Sequence, residues 1–388
     1  MSPSPRVNPE YLKRTLLDLV SIKSYSGDEG QIADYLIDRL SSVADRVENQ
    51  PVSDCGGNVI AHFGNTSGEK MILLSHMDTT EVFAGWTRSP WGEVEDNRVY
   101  GLGSLDAKSS LAAMMEATLA AVDALGGTSN LERGVMLVAV CDEEGYSRGT
   151  YEFVKSGKAN GSVGAVVGSP TSLKIGRGAY GRLVFDVEVR GRASTDVEQE
   201  GVNAIVEAAK LVLWAVDYPK QKSSGGGSVA PLSIKSKETI MVHPDLCILR
   251  LDRHYPPGEE EASAKRKFLS YLKRVKGLRA EVKVSPIKRP TPFLTPFELP
   301  DDHPFLAAFS EAYREALPGK DVETVIVPTV SDASYLHNLA QIPAIIFGPS
   351  GGNRHSPDEY VDLDSVVDMA NVIAHLIVLL QRREVPRG

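Results

Sequence analysis

Leu12, Leu16, Leu17 and Val20 recur at helical spacing behind Asn8-Pro9, which reads as an N-cap followed by proline at the first helical position. The pattern predicts an opening helix. After the turn Ser26-Gly27-Asp28 the same spacing returns through Ile32, Tyr35, Leu36, Leu40 and Val43. Then the period changes. MILLS (71–75), GVMLVAV (134–140), VGAVVG (163–168), TVIVP (324–328) and AIIFG (344–348) are short, almost wholly apolar runs, separated by helical patterns such as 109–124. Strands buried on both faces of a largely parallel sheet look like this, so the main domain is expected to be α/β.

Between 180 and 292 strands with alternating polar partners take over: LVFDVEVRG, SVAPLSIKS, CILRLDRHY and RAEVKVS, around helical stretches at 202–216 and 259–276. The order β-α-β-β-α-β predicts a ferredoxin-like unit inserted into the first domain. The expected division is 1–179 and 293–388 for the catalytic domain and 180–292 for the insert, a lid. SSGGGS (223–228) reads as a loop within that insert, because strand patterns resume at once.

Composition narrows the partners. With 42 Lys+Arg against 51 Asp+Glu the net charge is −9, which supplies no basic stripe for a phosphate backbone, so no nucleic acid is expected. Cys55, Cys141 and Cys247 are too few and too scattered for a disulfide framework, which suits a reducing cytoplasm. The sequence opens without an apolar signal core and shows no run read as a membrane span, so neither export nor a membrane partner is expected.

Ligands in open parallel sheets bind beyond the carboxyl ends of the strands. After MILLS comes His76-Met77-Asp78; after GVMLVAV comes Cys141-Asp142-Glu143-Glu144; after VGAVVG comes Ser169-Pro170-Thr171; beyond AIIFG comes His355-Ser356-Pro357-Asp358-Glu359. Asp106 precedes the helix that starts near Ser109. Each has a bland reading: a lone histidine after a strand is usually structural, and a Glu-Glu pair is usually a solvated turn. Their joint placement at one sheet edge points instead to a zinc-like catalytic site, where carboxylates can bridge two metals. His62, His243, His254, His303, His337 and His375 lack that placement and are read as structural or surface residues.

The stretches LSHMDTT (74–80), W-x-x-S-P-W-G with DNRVYGLGSLDAK (86–108), CDEEG (141–145), VSDASYL (330–336) and RHSPDEYV (354–361) resemble the M20 family of metallopeptidases and amidohydrolases. That family includes acetylornithine deacetylase, succinyl-diaminopimelate desuccinylase and carboxypeptidase G2. The likeness covers nearly the whole chain, lid included. It implies an enzyme with one or two zinc ions, cobalt or manganese being alternatives. It places Asp106 as the bridge, Glu144 and His355 at one metal and His76 at the other. By the same resemblance Asp78 orients the His76 ring, and Glu143 is the general base that takes a proton from the attacking water. Asp332 belongs at the substrate. A homodimer through the lids is implied, with helix 202–216 and the LVFDVEVRG strand as candidate surfaces.

Three positions depart from the family pattern. Ser169 stands where an acidic residue completes the His76 metal site, and a hydroxyl is a weak ligand for a divalent cation. Ser194 stands where a lid histidine stabilises the tetrahedral intermediate, and Met241 where an asparagine contacts substrate. Arg253 is a candidate clamp for a substrate carboxylate, with an ion pair to Asp252 or Glu259 as the equal alternative. Three functional readings remain open at this point: hydrolysis of an N-acyl amino acid or small peptide; redirected chemistry on an amino-acid-like substrate, such as amide formation or cyclisation; and amino-acid binding without catalysis.

Overall fold

The computed structural model describes residues 4–194, 201–218, 226–239 and 241–382. Asn8 caps the first helix, Pro9–Ser21, its side chain accepting the backbone N–H groups of Glu10 and Tyr11. The chain divides into two units: residues 1–178, 298–327 and 331–388, and residues 179–297 with 328–330. The second extends five residues past the expected end of the lid and takes in a short segment near 329.

The first unit is built on a sheet whose central strands, Gly134–Val140, Lys70–His76, Ser162–Gly168 and Ala344–Phe347, run parallel. They are the apolar runs of the sequence, buried almost throughout. Antiparallel strands extend both sides: Asn58–Phe63 and Arg46–Gln50 on one, Ile175–Ala179 on the other. TVIVP departs from its expectation of two-sided burial. Thr324–Val327 is a partly exposed strand paired with Ile175–Ala179 off the main path.

Helix Leu363–Leu380 is long and apolar enough to cross a membrane, which corrects the reading that no such stretch exists. Most of it is buried, packed into the core with the Ser109–Leu125 and Pro304–Ala316 helices. Its hydrophobicity is thus used inside the unit.

The second unit follows the predicted order: Gly181–Arg190, helix Ala204–Asp217, Ser228–Ser236, Leu246–Tyr255, helix Glu261–Leu272, Glu281–Pro286. All neighbouring strands are antiparallel, and spatially Leu246–Tyr255 and Gly181–Arg190 lie inside, flanked by Ser228–Ser236 and Glu281–Pro286. This is the ferredoxin-like arrangement. It corrects one surface: LVFDVEVRG is bonded on both sides and offers no free edge. Residues 223–225 of SSGGGS lie outside the described residues.

Candidate active site

Two adjacent parallel strands create the site. His76 ends one and pairs in register with Val140, which ends the other, so His76-Met77-Asp78 and Cys141-Asp142-Glu143-Glu144 leave the sheet side by side. Asp78 ties them together: its carboxylate accepts the Glu143 N–H at 3.0 Å, the Glu144 N–H at 3.1 Å and the Ser26 hydroxyl at 2.6 Å. His76 Nδ1 lies 3.0 Å from the Asp78 carbonyl oxygen and 3.4 Å from its carboxylate. That arrangement places a ring proton on Nδ1 and turns Nε2 toward the site.

Asp106 arrives from a different direction, on the loop after Arg98–Tyr100. Glu359 shapes this loop, its buried carboxylate accepting the N–H groups of Gly103 at 2.9 Å and of Leu105 and Asp106 at 3.0 Å each. Gly103 is at φ 76°, and a Cβ there would lie 2.6 Å from Thr79, so only glycine fits this turn. The neighbouring Asp358 accepts the Thr87 N–H at 2.9 Å and the Arg88 N–H at 3.0 Å. The same short segment thereby fixes His355 and anchors the W-x-x-S-P stretch.

Two groups of potential ligands result. Asp106, Glu144 and His355 form one, with His355 Nε2 2.5 Å from Glu144 and 3.3 Å from Asp106 Oδ2. His76, Glu143 and Glu144 form the other; His76 Nε2 lies 3.4 Å from Asp106 Oδ1 and 4.0 Å from Glu143. Asp106 therefore faces one histidine with each oxygen.

The electrostatics are those of a site short of positive charge. Burial, reinforced by Asp332, Glu144 and Asp106 and opposed by His76, raises the Glu143 carboxyl well above its ordinary value. Burial likewise raises Asp332, whose carboxylate accepts the Thr150 hydroxyl. His76 is held protonated against its burial by Glu143, Asp106 and Asp78. Hydrogen bonds to Asp106 and Glu144 push His355 up to about 10. Carboxylates that repel one another and histidines that hold protons in their place are groups a divalent cation would neutralise, so the donor set fits the implied metal.

Other expected residues lie elsewhere. Ser169 follows the Ser162–Gly168 strand, half-buried, and adds no charge to either group. Ser194 is buried in the second unit, where its carbonyl accepts the His243 N–H at 3.1 Å, and Met241 is 83% exposed there. Arg253 is a correction. It is fully buried in the second unit, 3.4 Å from Glu259 and beneath the Tyr218 ring. Its surroundings match the ion-pair alternative rather than a clamp open to substrate.

Several contributors escaped the sequence reading. Glu29, fully buried, accepts the N–H groups of Gly27, Gly56 and Asp142 at 2.7, 2.9 and 3.1 Å and so supports the Glu143 turn. Glu359 lies within the RHSPDEYV stretch, which gave no hint of its role. Arg354, beside His355, donates from Nε to Asp106 Oδ2 at 2.5 Å. None of the three carries a signal of its main role, since each acts on a segment distant in sequence, Glu29 on Gly56 and Asp142 besides its neighbour Gly27.

Comparison with known proteins places this geometry. The family model described as Peptidase family M20/M25/M40 matches residues 72–379. Acetylornithine deacetylase of Aliivibrio fischeri is 25% identical over 390 residues, covering 96% of this chain and 98% of that one. A Peptidase M20 domain-containing protein of Schizosaccharomyces pombe is 33% identical over 217 residues, 54% of this chain and about half (52%) of its own length. Among solved structures, a tripeptidase from Staphylococcus aureus superposes with TM-score 0.80 at 20% identity, covering 97% of this chain and 100% of its own. Human carnosine dipeptidase 1 gives 0.75 at 16% identity, with 97% of each chain covered. The chain belongs to peptidase family M20/M25/M40 and is an enzyme, a metallo-hydrolase.

Proposed function

We propose that this enzyme hydrolyses the amide bond of an N-acyl amino acid or a short peptide, with Glu143 as general base. The carrying observation is the convergence of Asp106, Glu144 and His355 on one point with the raised Glu143 carboxyl beside it. The acetylornithine deacetylases and peptidases that the chain resembles are named for amide cleavage, which supports the same bond class here.

Asp106, Glu144 and His355 would hold a zinc ion, or cobalt or manganese, through oxygen and nitrogen donors. Such an ion, when bound, polarises the scissile carbonyl and makes water nucleophilic at neutral pH. Glu143 takes the proton of the attacking water and returns it to the leaving amine, a role suited to a carboxyl raised by burial. His76 offers a second position. With Ser169 in place of an acidic ligand, that position binds more weakly than the first.

A second reading, redirected chemistry on an amino-acid-like substrate, is favoured by the joint differences at Ser169, Ser194 and Met241. One experiment separates the two: metal-loaded protein is given a panel of N-acetyl amino acids and di- and tripeptides while its metal content is measured. Hydrolysis in the wild type, with Glu143→Gln retaining metal but losing about 10²–10⁴-fold in turnover, supports the proposal. A fully loaded wild type that cleaves nothing in the panel sinks it and favours the second reading.

A further inference from the structure

We infer that the groove between the Pro9–Ser21 and Gly30–Ser41 helices is a binding site for a free α-amino acid, separate from the candidate active site. The groove has a volume of about 400 Å³ and is lined by Tyr11, Arg14, Thr15, Asp18, Tyr35 and Arg39, none of which belongs to either ligand group. The inference does not depend on the proposed amide hydrolysis, although that reaction would release a molecule of this class.

Helical spacing builds the groove. Residues 11, 14, 15 and 18 fall at i, i+3, i+4 and i+7 and share one face of the first helix, while 35 and 39, four apart, line the groove from the second. The Tyr35 hydroxyl bridges the two helices by donating to Asp18 Oδ2 at 3.1 Å. Behind Thr15 the Glu116 carboxylate, only 7% exposed, accepts the Thr15 hydroxyl at 2.7 Å and lies 3.5 Å from Arg39.

The charges of the groove are placed without being consumed. Arg14 precedes Asp18 by four residues, the poorer order for a helical ion pair, and among the described residues Arg14 makes no hydrogen bond or ion pair. Arg39 is 37% exposed, and its contact with Glu116 is too long for a hydrogen bond of full strength. Asp18 Oδ1 accepts no hydrogen bond among the described residues.

Two guanidinium groups and two carboxylates make this a site of no net charge in which opposite charges stay apart. It suits a ligand that is itself neutral with separated charges. The carboxylate of an α-amino acid matches the donor forks of Arg14 and Arg39, and its ammonium matches Asp18. A simple anion such as phosphate meets Asp18 and Glu116 as like charges, and a simple amine meets the two arginines. The volume also exceeds what the charged backbone of an amino acid fills. A large side chain is accommodated, with the Tyr11 ring, 63% exposed, as its apolar wall.

Calorimetry on metal-loaded protein, with the twenty L-α-amino acids added one at a time, tests this. At least one should bind with Kd below about 1 mM. Arg14→Ala removes an exposed side chain and Asp18→Asn keeps an acceptor for Tyr35, so each should weaken that binding at least about tenfold with Tm unchanged. The α-hydroxy acid and the decarboxylated amine of the same amino acid each lack one of its two charges and should bind at least about tenfold more weakly. Bound ligand should slow hydrogen exchange in 9–21 and 30–41. A panel in which nothing binds overturns the inference, and so does binding indifferent to both variants, which places the ligand elsewhere. A hydroxy acid that binds as tightly as the amino acid also overturns it, because the groove would then recognise an anion alone.

Discussion

The backbone N–H of Glu143 donates to Asp78 Oδ1 at 3.0 Å, so the carboxylate beside one candidate ligand, His76, fixes the position of the proposed general base. Asp78 is fully buried and also accepts the Glu144 N–H and the Ser26 hydroxyl. Asp78→Ala leaves those donors without partners, at about 1–3 kcal/mol for each one that stays buried. Denaturant unfolding should show a loss of at least about 2 kcal/mol, and metal affinity should fall with it. Asp78→Asn keeps one acceptor oxygen and should lose less of both. Equal stability of the alanine variant and the wild type would remove Asp78 from this role.

The raised Glu143 carboxyl fixes the sign of the pH dependence. The base works only when deprotonated, so kcat/KM rises with pH through an inflection above the ordinary carboxylate range. After burial, and against the pull of His76, Asp332 is the first neighbour that raises Glu143. Asp332→Asn removes a like charge and can still accept the Thr150 hydroxyl, so the rising limb should move to lower pH. Profiles measured on both proteins at saturating metal decide this, and a limb that stays or moves upward contradicts the assignment.

How much of the site was legible depended on whether its chemistry was local. His76, Glu143 and Glu144 follow directly from buried strands, and the rule that ligands gather at strand carboxyl ends was enough to find them. The two units were readable too, because the change from wholly apolar runs to alternating strands marks where two-sided burial ends. Glu29 and Glu359 were not legible. Each is an acidic residue serving backbone N–H groups from distant loops, and nothing in its own neighbourhood reports those partners. Arg253 misled for the complementary reason: a cation beside Asp252 on an alternating strand looks exposed, whereas this one points into the core with Glu259 as its counter-charge. In the Leu363–Leu380 helix, Asp364 and Asp368 interrupt the apolar run near its start, yet the fold buries most of one continuous helix there.

Ser169 sets the expected metal stoichiometry. Asp106, Glu144 and His355 bring two carboxylates and an imidazole to one position, while Ser169, where the resemblance implies an acidic ligand to the His76 position, offers a neutral hydroxyl. Dialysed protein should retain one ion firmly and lose a second, and Ser169→Glu should shift retained metal toward two per chain by elemental analysis. Two firmly held ions in the wild type would show that His76 with the neighbouring glutamates suffices.

The last prediction concerns self-association of the second unit, which we propose pairs with a second copy of itself. Ser228–Ser236 is an edge strand; Pro231 brings no N–H to it and the register shifts between Pro231 and Ser233, so the usable edge is 232–236. Leu232 and Ile234 on that edge are about half exposed. The Ala204–Asp217 helix packs against the same strand and exposes Ile205, Val206, Leu213 and Val216, with Leu213 at 68%. An edge unpaired among the described residues, beside an apolar helix face, costs a lone chain in exposed surface, and a two-fold axis lets one copy cover both features of the other. Sedimentation velocity at micromolar concentration should show a dimer. Leu213→Lys with Val216→Lys places like charges across the axis on a face that contributes nothing to the unit's own core, so it should yield a monomer of unchanged Tm. A wild type that sediments as a monomer, or a dimer indifferent to these charges, removes the helix from the interface.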